Sequence, residues 1–150
     1  LGGDREATRV FARVGGRETL LSYGVPREAY ERADFDELPA LMRAHVPQDH
    51  VDFLAGLEDL VEIGDYAFVH AGIRPGIPLA EQRTAHLRWI RGDFLDHRGD
   101  HPRIIVHGHT ITDAVDARAN RIGIDTGAYA SGRLTAVGLD AGERWFIEAT

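Results

Sequence analysis

The chain has no cysteine and no lysine, and its single methionine is Met42. Without cysteine, disulfides, thiolate metal sites and a cysteine nucleophile are all excluded, and the composition suits a reducing cytoplasm, the compartment it predicts. With lysine absent, all 17 basic residues are arginine, a bias read as GC-rich coding rather than as function. A cationic excess is missing too: the balance is 17 − 24 = −7 with histidine neutral. That sign disfavours a duplex nucleic-acid binder, which gains affinity by neutralising phosphates. No window approaches the ~20 apolar residues of a membrane span. The opening Leu1-Gly2-Gly3-Asp4-Arg5-Glu6 lacks the cationic start and apolar run of a secretory signal. It also lacks an initiator methionine, so the reading expects a processed or incomplete chain. What is present, 150 residues with 43% hydrophobic and 27% charged side chains, is ordinary for one globular domain.

The first third is helical in pattern. Val10, Phe11 and Val14 recur at helical spacing from Asp4, and Gly15-Gly16 closes that helix. Gly24 and Pro26 mark a turn. Asp34 to His45 sets Phe35, Leu38, Leu41 and Met42 on one face, and Pro47 opens a helix through Leu57 with Val51, Phe53 and Leu54 apolar. Packing is the expected role of these segments. From Glu58 the period becomes two. Leu60–Ile63 and Tyr66–His70 flank Gly64-Asp65, a hairpin signal. After the Pro75–Pro78 loop comes a short helical stretch at 79–83, and 87–95 then sets Trp89, Ile90 and Phe94 around Arg91. Strands are expected at 103–107, 114–117, 122–125 and 134–139, with a last one at 144–147 across Asp140-Ala141-Gly142. The expected fold class is α/β (α+β), with 1–57 mainly helical and 58–150 strand-rich.

Two apolar runs end on histidine beside glycine: Tyr66-Ala67-Phe68-Val69-His70-Ala71-Gly72 and Ile104-Ile105-Val106-His107-Gly108-His109-Thr110. In open α/β sheets ligands gather beyond the carboxyl ends of strands, so these imidazoles are candidate metal ligands. A lone strand-end histidine is more often a satisfied interior residue, because metal binding needs convergent groups. Gly108 is expected to break the strand and part His107 from His109, one facing the crevice and the other supporting it. Asp125, at the end of Ile122-Gly123-Ile124, could orient an imidazole or cap its own turn, and the cap is preferred. Arg91, within Leu87-Arg88-Trp89-Ile90-Arg91, is either a surface cation or a fork for an oxyanion. His45, His50, His86, His97 and His101 sit in polar segments and are expected to face solvent.

The order of these pieces, His-Ala-Gly-Ile, then Leu-x-Trp-Ile-Arg, then Val-His-Gly-His-Thr, then Ile-Asp-Thr-Gly-Ala-Tyr-x-Ser-Gly-Arg-Leu, resembles the C-terminal portion of the bacterial-type phosphoprotein phosphatases. These are a branch of the calcineurin-like metallophosphoesterases. The likeness is most specific from Tyr66 to Leu134. It implies a partial metallophosphoesterase β-sandwich flanked by helices, with the N-terminal half of the domain missing and residues 1–150 its C-terminal part. It also implies a cytoplasmic hydrolase with two divalent metal ions, manganese first and iron or zinc otherwise, that cleaves phosphoesters with metal-bound water. By position, His70 and His109 would ligate metal and Arg91 would bind substrate phosphate. His107 would lie behind the ligands, and Asp125, Thr126 and Gly127 would wall the site.

The family's Asp-x-His, Gly-Asp-x-x-Asp-Arg-Gly and Gly-Asn-His-Glu motifs do not occur in these 150 residues. The resemblance puts them, and the proton donor, upstream of Leu1. No catalytic residue is therefore assigned within the chain, and residues 1–150 alone are expected to be inactive. Serine/threonine protein phosphatase leads the functional expectations. Symmetrical dinucleoside tetraphosphate hydrolysis and a non-catalytic binding remnant are the alternatives. A phosphorylated protein or other phosphoester is the expected partner, with no nucleic acid and no membrane.

Overall fold

The computed structural model describes residues 5–150, and the chain divides into two units, 1–57 and 58–150. The expected helix start at Asp4 lies outside the described residues.

In the first unit, α1 (Arg5–Phe11) and α2 (Arg17–Ser22) are joined by a π-helical segment, Ala12–Gly16. Val14 and Gly15 leave helical geometry there, Gly15 at φ 98°. The paired glycines thus kink the chain and a second helix follows at once, where the sequence pattern suggested only an end. The helix α3 (Arg27–Arg32) was not legible in the apolar periodicity, and it buries no residue fully. The next helix, α4 (Leu38–His45), begins four residues later than expected. Asp34 instead forms a turn in which its Oδ1 accepts the N–H groups of Asp36 and Glu37 at 2.8 and 3.0 Å, the usual competition of Asp with helix backbone. Leu20, Val25 and Leu38 form the core of this unit. Pro47 precedes α5 (Gln48–Ala55), as read. The packing role assigned to Phe53 and Leu54 is corrected: they are 67% and 63% exposed.

The second unit is built on a mixed five-stranded sheet flanked by helices. Its strands are β1 (Leu60–Ile63), β2 (Tyr66–Val69), β3 (Ile104–His107), β4 (Asp116–Ala117) and β5 (Arg121–Gly123). Their spatial order is β1-β2-β3-β5-β4. The three central strands run parallel, and each edge strand is antiparallel to its neighbour. Register Ile63↔Tyr66 makes Gly64-Asp65 a two-residue hairpin loop, with Gly64 at φ 56° supplying the left-handed position such turns require. Ala67, Ile105 and Ile122 are fully buried along the sheet. Helices α6 (Thr84–Trp89) and α7 (Gly92–Leu95) bring Leu87 and Phe94 into the core with Ile73.

A short helix, α8 (Ala128–Ser131), precedes a separate antiparallel pair, β6 (Leu134–Asp140) and β7 (Glu143–Ala149), closed by Ala141-Gly142. The result is a mixed α/β architecture, the class read from the sequence. No helix among the described residues is long and apolar enough to cross a membrane.

Candidate metal and phosphate site

Because β2, β3 and β5 are parallel, their carboxyl ends share one edge of the sheet. His70 follows β2 directly, Gly108 and His109 follow β3, and Asp125 lies two residues past β5. Backbone hydrogen bonds carry the ladder beyond the strands. The Gly108 N–H donates to the His70 carbonyl at 2.9 Å, the Ile124 N–H to the His107 carbonyl at 3.0 Å, and the Thr112 N–H to the Asp125 carbonyl at 3.0 Å. Just past His70, the Ala71 N–H donates to the Leu87 carbonyl at 2.7 Å, which fixes α6 against the same edge.

His109 has a left-handed backbone, φ 64°. For a non-glycine residue such geometry typically costs ~1–3 kcal/mol and tends to gather at functional sites. With the backbone so turned, His109 Nδ1 stands 3.1 Å from His70 Nε2, and the ring centres are 4.9 Å apart. Only one nitrogen in such a contact carries the proton, and the other presents a lone pair. Two nitrogens bound side by side to one divalent ion at ~2.0–2.1 Å are themselves about 3 Å apart, so the observed spacing suits a shared ion. His109 Nε2 is buried with no hydrogen-bond partner. The ring is therefore held by the His70 contact and by Trp89, whose ring stands perpendicular to it with centroids 5.7 Å apart.

Imidazole donors by themselves suit zinc or iron, and manganese would draw on added oxygen ligands. Among the described residues, however, no group of three or more His, Cys, Asp or Glu is placed to hold an ion. The pair fits part of a divalent site, since a closed zinc site, for comparison, uses four donors.

Arg91 lies between α6 and α7 with its side chain exposed. Its carbonyl accepts the N–H groups of Phe94 and Leu95, both at 2.9 Å. Its guanidinium donates from Nη1 to Thr110 Oγ1 at 3.0 Å and to the His109 carbonyl at 3.3 Å. The cation, the imidazole pair and a hydroxyl thus meet at one place. Burial foremost, then the Arg91 charge and the neighbouring His70, hold the His109 pKa below the ordinary histidine value, against an opposing pull from Asp125. A neutral imidazole is the form that binds a metal.

Asp125 takes the capping role: its Oδ1 accepts the Gly127 N–H at 3.0 Å, with Gly127 at φ 69°. Thr126 is buried, and its hydroxyl bonds the Thr135 hydroxyl at 2.7 Å and the Arg133 carbonyl at 2.8 Å. Asp125 and Thr126 line a cavity of about 360 Å³ together with His70 and His109.

His107 is 3% exposed, with its ring edge-on to Phe94 at 4.9 Å. Its Nε2 lies 3.4 Å from Arg121 Nη1 and its Nδ1 3.1 Å from the Gly108 carbonyl. A guanidinium can only donate, so Nε2 accepts and Nδ1–H donates to Gly108. The imidazole is thereby kept apart from the His70–His109 pair while remaining bonded to the peptide that leads into His109.

Sequence reasoning missed Thr110, Trp89 and Arg121. The first two stand beside assigned residues, in the strings His109-Thr110 and Trp89-Ile90-Arg91. The third is a charge leading the apolar strand β5 and is 2% exposed. The solvent-facing assignment of the remaining histidines is corrected in part. His45, His86, His97 and His101 are half-buried, and His101 stacks on Phe94 at 5.5 Å and on His97 at 4.9 Å.

Three histidines share a consequence for pH. His101, His107 and His109 all have lowered pKa values, with burial the first cause in each. The unfolded chain, titrating near 6.5, therefore takes up more protons than the folded one as pH falls. Their contribution to stability is complete above about 6.5 and is lost as pH drops through the lowered folded values. The urea midpoint should fall between pH 7 and pH 5.5, above the ordinary carboxylate range; a flat or rising profile would contradict this.

No protein-family model matches the chain, and no curated protein does. A crystal structure described as that of a "putative diadenosine tetraphosphatase" is similar over 95% of this chain and 72% of its own, at 18% identity and a TM-score of 0.60. At that identity the likeness establishes the fold alone.

Proposed function

We propose that this chain carries part of the site of a metal-dependent phosphoester hydrolase. The observation that carries the reading is the meeting of His70 Nε2 and His109 Nδ1 at 3.1 Å beside the Arg91 guanidinium. His70 and His109 hold a divalent ion, and Arg91 binds the phosphoryl oxygens bidentately, which guanidinium geometry favours. Asp125 and Thr126 form the adjoining wall, with Gly127 in the turn that Asp125 caps. Bound divalent ions in such a site supply an activated nucleophile and neutralise charge developing on the phosphoryl group. The remaining ligands and the proton donor are not supplied by residues 1–150, and manganese is the first choice of metal on the sequence resemblance.

The sequence resemblance favours phosphoserine or phosphothreonine as substrate. The description of the structural neighbour favours a dinucleoside tetraphosphate, and we place that substrate first. In a protein joining these residues to the three upstream motifs, manganese-dependent cleavage of diadenosine tetraphosphate into two ADP is expected to exceed turnover of a phosphopeptide. Residues 1–150 alone are expected to turn over neither. Arg91→Ala should lower kcat/KM by about 100-fold, the scale of losing one charge-stabilising donor, with bound manganese unchanged. Loss of the metal with Arg91 would instead assign the arginine to holding the His109 loop.

A further inference from the structure

We infer that Trp89 is the platform on which a nucleobase of the substrate stacks, which makes a nucleoside polyphosphate, of whatever base, the ligand class of this site. The inference rests on the proposed phosphoester site and deepens it. Trp89 is the last residue of α6 and remains 54% exposed. Its ring stands at 89° to that of His109, with centroids 5.7 Å apart. Two residues later, Arg91 reaches the His109 carbonyl and the Thr110 hydroxyl.

An open indole and a guanidinium therefore meet the same residue from one short stretch of backbone, the indole at the His109 ring and the guanidinium at its carbonyl. A phosphate held by Arg91 brings whatever is esterified to it past Trp89. A flat π-system gains there by stacking, whereas the aliphatic carbon of phosphoserine has no face to offer. The indole N–H is the ring's only donor, so recognition through the ring face discriminates little among bases, as is usual for aromatic platforms. The helix end carrying Trp89 is anchored independently of the ring: the Ile90 N–H donates to the His86 carbonyl at 3.2 Å, and Leu87 is buried in the core. The indole's exposure is thus not needed to hold α6 in place.

The test uses the 150-residue chain in a Trp145→Phe background, which leaves Trp89 as the sole indole, with manganese present throughout. Diadenosine tetraphosphate is expected to quench the indole emission saturably, and inorganic tetraphosphate at the same concentration to quench it little. By calorimetry in the otherwise unaltered chain, Trp89→Ala should weaken diadenosine tetraphosphate binding at least about fivefold more than inorganic tetraphosphate binding, the lower end of what losing one base–aromatic stack costs, since any loosening of the His109 ring is felt by both ligands alike. Arg91→Ala should weaken both. If Trp89→Ala weakens the dinucleotide no more than inorganic tetraphosphate while Arg91→Ala weakens both ligands, the platform is overturned and the phosphate site stands. If neither variant matters, or the chain binds neither ligand, both readings fall.

Discussion

Replacing His109 with alanine is expected to lower manganese affinity more than about 100-fold, beyond the ~10–100-fold that loss of an outer-shell partner typically costs. Removing His109 takes away one of the two facing nitrogens and leaves His70 Nε2 without its 3.1 Å neighbour. It also removes the ring against which Trp89 rests. His97→Ala is the matched control: that ring stacks on His101 at 4.9 Å and should leave manganese binding unchanged. In a protein carrying the upstream motifs, His109→Ala should abolish hydrolysis together with metal content, and His97→Ala should do neither. Equal effects of the two substitutions, read by calorimetry and metal analysis, would reject His109 as a ligand.

Asp116→Ala should cost about 3 kcal/mol of stability, the lower end of the ~3–5 kcal/mol typical when one partner of a buried ion pair is removed. The Arg121 side chain is 2% exposed and meets Asp116 Oδ2 at 2.8 Å, while Arg118 Nε meets Oδ1 at 2.8 Å. Without that carboxylate, Arg121 keeps only neutral partners: the Leu95 carbonyl, His107 Nε2 and the face of Phe94. The Asp116 side chain is 26% exposed, so water can reach part of the vacated place, hence the lower end. Asp116→Asn, which keeps an acceptor of similar shape, should cost less. A denaturant midpoint within error of the parent for Asp116→Ala would show that Arg121 does not depend on this pair.

The strands were legible because their chemistry is local. Gly64-Asp65 between two apolar runs allows few arrangements other than a tight hairpin, and β3 stops where Gly108 follows His107. That the ends of β2, β3 and β5 meet at one edge depends on parallel pairing across long crossovers, which no local pattern encodes; for that, the order of the motifs was the guide. The kink at Gly15 escaped the reading because a glycine pair signals an end as readily as a bend. Phe53 and Leu54 carry the helical period yet lie open to solvent, since periodicity gives a face but not what covers it. The path from Arg121 through His107 to the Gly108 peptide was invisible for a similar reason. A buried arginine at the head of a strand means little until its acceptors are placed around it.

Titrating manganese into the chain while following its histidine ring signals by nuclear magnetic resonance tests the metal pair most directly. Paramagnetic broadening of His70 and His109 is expected at the lowest additions, with His97 and His101 still sharp, and loss of that selectivity in His109→Ala. Broadening that begins at His97 and His101, or that persists at His70 unchanged in His109→Ala, would rule out a shared ion on the pair.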